Sequence, residues 1–275
     1  MEMLLSLRFQ TRYDYRPAIA SGVTALRLVP SPGPGLNVLE SRLAVFPGRV
    51  SQVYTDGWGT RVDVVEVLQP HAYATFDVTA MVETSAPEAP AALAPDQRHL
   101  FTHDSKRVHT VDIAAFRDEL PFAGRDWTAV EALVRWVPNR FQYDVRATDE
   151  GTTMPEFLRV GAGVCQDFAH LTLAVVRSWG WPARYVSGYF FSTASSGSRI
   201  DADATHAWVE IWKENAGWIG FDPTAGEPAD ERYVPIGRGR DYEDVRPVQG
   251  VLRGSTIQDY KSKLTIKSIT DQSQQ

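Results

Sequence analysis

Along the first third of the chain, apolar and polar residues alternate. Leu5, Leu7, Phe9, Thr11, Tyr13 and Tyr15 fall on one side, and Ser6, Arg8, Gln10, Arg12 and Asp14 on the other. Successive side chains of a strand point to opposite faces, so this period of two predicts a half-buried strand. Further strands are predicted near 23–29, 38–46, 50–55, 60–68 and 72–83, the last repeating the alternation through Phe76, Val78, Ala80 and Val82. Pro30-Ser31-Pro32-Gly33-Pro34-Gly35 and the tight-turn pair Asp56-Gly57 break them apart. Short strands divided by turns predict a β-sandwich that ends near residue 84.

The pattern then changes. Residues 85–97, with prolines at 87, 90 and 95, read as an extended linker. Beyond it the period becomes helical. Trp127, Val130, Leu133, Val134 and Val137 follow helical spacing after the capping pattern Thr128…Glu131, and Pro138 is expected to stop that helix. Thr153…Glu156 predicts a second cap. From Cys165, the residues Phe168, Leu171, Val175 and Trp179 share one face, and Gly180 ends the helix. Strands follow near 184–191, 205–213 and 217–222, with a last one at 263–269 before a polar tail that is expected to be disordered. Helices come ahead of most of these strands, so the class is α+β and not alternating βαβ. The predicted organisation is a sandwich over 1–84, a linker over 85–97, an α+β domain over 98–250, and a strand and tail over 251–275.

Composition narrows the function. The 275 residues carry a net charge of −6, which argues against nucleic acid or an anionic membrane as the main partner. No apolar run is long enough to span a bilayer, and the first residues lack the basic start and long apolar stretch of a signal peptide. The single cysteine cannot form an internal disulfide. A cytoplasmic location fits, and a lone cysteine there is free to react.

That cysteine has an unusual setting, Gly161-Ala162-Gly163-Val164-Cys165-Gln166-Asp167. At the first turn of a helix, unpaired N–H groups and the helix dipole stabilise a thiolate. The two glycines let the backbone approach a substrate, and the Cys165 N–H is placed to donate to an oxyanion. Against this stands the reading of Cys165 as a small buried hydrophobe. His206 lies on a strand whose alternation puts His206, Trp208, Glu210 and Trp212 on one face, expected to wall a site, with Ala207, Val209 and Ile211 turned into a core. The Trp208 indole beside the imidazole would limit water there. Asp222 ends the next strand; it is either a turn residue before Pro223 or a half-buried carboxylate in need of a partner. A five-residue connection would set Asp222 directly opposite His206. A thiol, an imidazole and a carboxylate are the parts of a nucleophile, its base and its orienter.

Other polar residues have competing readings. Asp167 is expected to cap or anchor a neighbour, and His170 to be structural. Asp201-Ala202-Asp203 opens like a calcium loop, but His206 and Trp212 occupy the positions that need glycine and glutamate. No zinc or phosphate-loop pattern is present, so no cofactor is expected.

Five ordered segments resemble the bacterial transglutaminase-like family: Gly163-Val164-Cys165-Gln166-Asp167-Phe168-Ala169-His170-Leu171, Pro182 to Gly188, Thr205-His206-Ala207-Trp208-Val209-Glu210, Gly217 to Thr224, and Gly239 to Val245. Leu26-Arg27-Leu28-Val29-Pro30 and Asp56-Gly57-Trp58-Gly59 are similar to the β-rich domain that precedes the core in that family; Thr60 departs from its usual asparagine. The resemblance implies a papain-like catalytic domain over 98–250 with Cys165 as nucleophile, His206 as base and Asp222 as orienter. It does not fix the second oxyanion donor. Tyr143 and Gln166 are candidates, each also accounted for by packing or capping. Asp241, within Arg240-Asp241-Tyr242, is a candidate for lining the site, with a purely structural role as the alternative. The implied chemistry is acyl transfer on amide or peptide bonds of a protein or peptide substrate through a thioester, ending in hydrolysis or in transfer to an amine. A non-catalytic peptide-binding scaffold is the rival from another class.

Overall fold

A computed structural model describes residues 2–86, 92–121, 124–192, 204–254 and 257–269. The prolines at 87 and 90, the Asp201-Ala202-Asp203 stretch and the tail beyond 269 lie outside these residues.

The alternating segments form strands: β1 (Met3–Ile19), β2 (Ser21–Leu26), β3 (Leu36–Phe46), β4 (Arg49–Thr55), β5 (Arg61–Val67) and β6 (His71–Thr84). Leu5, Leu7 and Phe9 of β1 and Phe76, Val78, Ala80 and Val82 of β6 are buried as the alternation requires. Asp56 holds the β4–β5 turn, its Oδ1 accepting from the amides of Trp58 at 3.0 Å and Thr60 at 3.1 Å.

Next come α1 (Pro95–Thr102), a 3-10 turn over Ala114–Glu119, α2 (Trp127–Arg140), β7 (Gln142–Tyr143), α3 (Met154–Val160), β8 (Ala162–Gly163), α4 (Cys165–Ser178), β9 (Ala183–Phe190), β10 (His206–Lys213), β11 (Gly217–Asp222), β12 (Glu227–Pro228), β13 (Tyr233–Gly239) and α5 (Tyr242–Val245). Two local expectations are corrected. The α2 cap is Asp126, whose carboxylate accepts from Ala129 N at 3.0 Å, because the helix begins one residue before Thr128. Pro138 lies inside α2, in its last turn, where its missing N–H forfeits a single bond. The cap at α3 is as expected, with Glu156 reaching back to Thr153 N at 2.9 Å. Gly180, with φ +87°, follows the end of α4.

The chain closes with β14 (Val248–Arg253) and β15 (Ile257–Ser268). These strands complete the sandwich, whose sheets run β15-β1-β6-β3 and β14-β2-β5-β4. The α+β part is therefore inserted into the sandwich and does not simply follow it. Its own sheet, β12-β11-β10-β9-β13, is antiparallel throughout. Ala207, Val209 and Ile211 of β10 share a core with Phe168, Leu171 and Val175 of α4. Burying each of the larger of these side chains contributes about 1.5–3 kcal/mol. The β9–β13 end of this sheet joins the sandwich core through Tyr189, Val234 and Ile236. The Tyr189 hydroxyl donates to Leu28 O at 2.7 Å, and Thr84 Oγ1 donates to Glu231 O at 2.6 Å.

Candidate active site

Cys165 is the first residue of α4 and is half-buried. Tight backbone geometry delivers it there. Gly161, with φ +73°, ends α3, and Gly163 then runs parallel to Tyr143 in the β7–β8 ladder. Asp167 secures the turn: its Oδ2 accepts from Val164 N at 2.9 Å and from Thr148 Oγ1 at 2.6 Å. Position 163 must be glycine, since a Cβ would stand 2.5 Å from that oxygen. Burial pushes the Asp167 carboxyl up, and the bonds from Thr148 and Val164 pull it back. The amides of Cys165 and Gln166, in the first turn, have no acceptor within the helix and point toward the space before it.

His206 begins β10 and Asp222 ends β11. Both are buried, and His206 Nε2 donates to Asp222 Oδ2 at 2.8 Å. The other ring nitrogen, Nδ1, is turned away from Asp222, and Cys165 lies close enough to the imidazole to raise its proton affinity. The opposite end of Asp222 is fixed by backbone: Oδ1 accepts from Thr224 N at 2.7 Å and from Ala225 N at 3.3 Å. Burial opposes the charged imidazole. The adjacent Asp222 carboxylate, by charge and hydrogen bond, and Cys165 outweigh burial and raise His206 to about 10. Burial likewise opposes the Asp222 charge, but the imidazole, the Thr224 amide and the Tyr233 hydroxyl hold the carboxyl below its ordinary value.

The expected register of this pair is corrected. The ladder pairs Lys213 with Gly217, Trp212 with Trp218 and Val209 with Phe221, so even residues meet even ones as required. The connection is shorter than five residues, however, turning through Asn215 at φ 64°. Asp222 therefore falls in line with Trp208 and reaches His206 on the diagonal, a distance side chains of this size span.

The face of β10 carrying His206, Trp208, Glu210 and Trp212 does not form a long open wall. Trp208 and Trp212 are 2 % and 1 % exposed. The Trp208 ring lies 6.3 Å from His206 at an interplanar angle of 25° and fills the space left by Gly188, where a Cβ would stand 2.4 Å from Trp208 Cη2. Glu210 sits between Arg184, at 2.6 Å, and Arg238, at 3.1 Å; burial opposes its charge, and the two guanidiniums hold it at about 2. Phe101 of α1 packs edge-on against Trp218 at 5.4 Å and covers that end. Only the His206 end of the strand meets the nucleophile.

The remaining candidates separate. Tyr143 lies beside the Cys165 turn and packs edge-on against Phe168 at 6.3 Å. Gln166 is half-buried next to Cys165. Asp241 is 1 % exposed and caps α5, its carboxylate accepting from Arg107 N at 2.7 Å and from Glu243 N at 2.9 Å. With both oxygens engaged by backbone, it braces a loop. His170 is structural as expected: its Nε2 accepts from Tyr242 N at 3.2 Å, and burial lowers it to about 4, keeping it neutral. Tyr233, absent from the sequence-based set, donates its hydroxyl to Asp222 Oδ2 at 2.8 Å. The segment Tyr233-Val234-Pro235-Ile236-Gly237 is covered on both faces and shows no alternation, so no sequence signal pointed to it.

Comparison with known proteins places this geometry. The profile of the transglutaminase-like superfamily matches residues 119–223, which include Cys165, His206 and Asp222, and that of the bacterial transglutaminase-like N-terminal region matches residues 5–83. An uncharacterised protein of Mycobacterium leprae is 30% identical over 276 residues, covering 93% of this chain and 96% of that protein. The chain belongs to the transglutaminase-like superfamily. Within it, a protein-glutamine gamma-glutamyltransferase of Pseudomonas aeruginosa is 32% identical over 117 residues, which are 40% of this chain and 18% of that longer protein. A crystal structure from Cytophaga hutchinsonii, provisionally described as a cysteine protease, superposes with a TM-score of 0.78 at 21% identity, over 98% of this chain and 93% of that one. The transglutaminase-like fold thus extends through both the sandwich and the inserted core.

Proposed function

We propose that the protein is a thiol-dependent acyl-transfer enzyme acting on amide or peptide bonds, with Cys165 as nucleophile, His206 as base and acid, and Asp222 as orienter. The observation that carries the reading is the buried His206–Asp222 pair, Nε2 to Oδ2 at 2.8 Å, whose imidazole lies close enough to Cys165 for the thiol to raise its proton affinity. Cys165 sulfur attacks the carbonyl carbon while its proton resides on His206. The oxyanion that forms meets the first-turn amide of Cys165. His206 then gives its proton to the departing amine, the C–N bond breaks, and a thioester remains. Water, deprotonated by the same imidazole, releases an acid; an amine in its place gives a new amide. Both outcomes use the same three residues, and what divides them is water exclusion and acceptor binding.

The superfamily membership and the glutamyltransferase among the relatives make a glutamine carboxamide in a protein or peptide a reasonable first acyl donor. The test is trapping. Glutamine-containing peptides are incubated with the protein, with and without a primary amine, and the intact mass is read. A thioester adduct on the native protein that is absent from Cys165→Ala, with the variant's melting curve unchanged, is the expected result. Turnover by Cys165→Ala at the native rate would remove Cys165 from the mechanism. Inert Cys165 toward both peptides and iodoacetamide at pH 6 would favour the peptide-binding scaffold.

A further inference from the structure

Asp222 Oδ2 serves two donors. His206 Nε2 reaches it at 2.8 Å, and so does the Tyr233 hydroxyl, also at 2.8 Å. The carboxylate cannot rotate to relieve this competition, because Oδ1 is tied to the amides of Thr224 and Ala225. Nor can the phenol move away. Its ring lies 4.7 Å from Phe190, 5.2 Å from Trp208 and 6.2 Å from His206.

The strand beneath it is anchored from the other side. Val234 and Ile236 of β13 belong to the sandwich core. Just upstream, the carbonyl of Glu231 receives the Thr84 hydroxyl from the end of β6. One face of β13 is thus held by the sandwich, and its other face presents Tyr233 to the carboxylate.

We propose that Tyr233 is a positioning residue that limits how tightly Asp222 holds His206, and that the sandwich sets its place through β13. The proposal rests on the assignment of His206 as the acid–base group. A donor sharing Oδ2 draws charge from the oxygen that faces the imidazole, so it weakens the hydrogen bond on the other side. A phenylalanine would fill the same volume without that effect, which separates the hydroxyl's role from packing. Among the described residues, the charged or titratable groups facing the pair are Cys165 on α4, Asp222 itself, Tyr233, and Glu227 and Arg232 near the phenol. Arg232 is paired with both Glu227 and Asp230, so most of its charge is engaged by these two carboxylates and not by the pair.

The test reads the His206–Asp222 pair directly, without turnover. In full-length protein labelled with 15N-histidine, the His206 Nε2–H proton resonance is assigned by its loss in His206→Gln. In Tyr233→Phe this resonance should move downfield, and the imidazole midpoint should rise by about half a pH unit, roughly a threefold gain in proton affinity. Thr84→Val, which releases the Glu231 carbonyl, should move the resonance in the same direction by less. Replacing the 10 tyrosines with 3-fluorotyrosine makes each phenol a stronger donor, and should move it upfield. That arm needs no substitution at 233 and holds even if Tyr233→Phe fails to fold. An unmoved or upfield resonance in Tyr233→Phe, or an unmoved one with fluorotyrosine, would overturn the proposal. An unmoved one in Thr84→Val would overturn the sandwich's part. Failure of the catalytic assignment is read separately, by turnover in Cys165→Ala.

Discussion

Gly163→Ala tests how the nucleophile's turn is held. The added Cβ would stand 2.5 Å from Asp167 Oδ2, and 3.0 Å from both Asp167 Cγ and Phe157 Cδ2. Close carbon–oxygen contact needs about 3.3 Å, so the carboxylate must withdraw by roughly 1 Å. Withdrawal breaks its bonds to Val164 N, at 2.9 Å, and Thr148 Oγ1, at 2.6 Å. Hydrogen bonds to a charged group contribute about 1.5–3 kcal/mol each. Because these two share one oxygen and one side chain, their losses do not add in full. The expected destabilisation is about 3 kcal/mol, a lost helix cap included. Burial already pushes the Asp167 carboxyl up, and loss of both donors should push it further in that direction. The assay is urea unfolding followed by tryptophan fluorescence, with the rate of Cys165 alkylation by iodoacetamide as the local readout. Gly57→Ala is the control, since nothing lies within 4 Å of its Cβ and it should shift stability by less than about 0.5 kcal/mol. In an Asp167→Ala background most of the Gly163→Ala penalty should vanish, leaving only the Phe157 contact. A Gly163→Ala protein as stable as the control, or an undiminished penalty in that background, would refute the account of the turn.

Two further expectations concern the buried pair. Thioester formation should fall furthest in His206→Ala, which removes base and acid together, and roughly 10–100-fold less in Asp222→Asn, where the Thr224 and Ala225 amides still hold the side chain; the reverse order in single-turnover rates would contradict the roles assigned. Folding raises His206 from 6.5 to about 10, so its stabilising contribution is complete below pH 6.5 and fades as pH climbs toward 10. Asp222 is shifted the other way, so its contribution is present above its ordinary value of 3.8 and fades as pH falls below that. Urea midpoints between pH 6 and 10 should therefore decline more steeply for the native protein than for His206→Gln, and parallel declines would count against the linkage.

Much of this was legible in the residues because burial on one face leaves a period. β1 and β6 were readable from their alternation, and the even-to-even relation of His206 and Asp222 followed from side-chain parity. What escaped notice was structure covered on both sides or settled by distant chain. Tyr233 lies on a strand with sandwich on one face and the Trp208 cluster on the other, so no polar positions mark its period. The register of Asp222 hinged on the length of one connection, and a shorter turn moved it by one pair without changing its face. The helix at Pro95–Thr102 begins inside the stretch predicted as linker, 85–97, because proline density hides a legitimate first-turn proline. The wall expected along β10 stops at His206, because Trp208 is buried and Arg184 of β9 and Arg238 of β13 converge on Glu210.

The late arrival of β14 and β15 has a consequence for biosynthesis. β1 is an interior strand, bonded to β6 on one side and to β15 on the other. Until β15 leaves the ribosome, the β15-facing rim of β1 presents bare amides and carbonyls while the whole inserted core is being translated. Ile269 N then donates to Leu4 O at 2.8 Å, closing the end of that rim. Trimming the chain after α5 would therefore strip an outer strand from each sheet at once, and the cost would fall on the half of the molecule farthest from the cut in sequence.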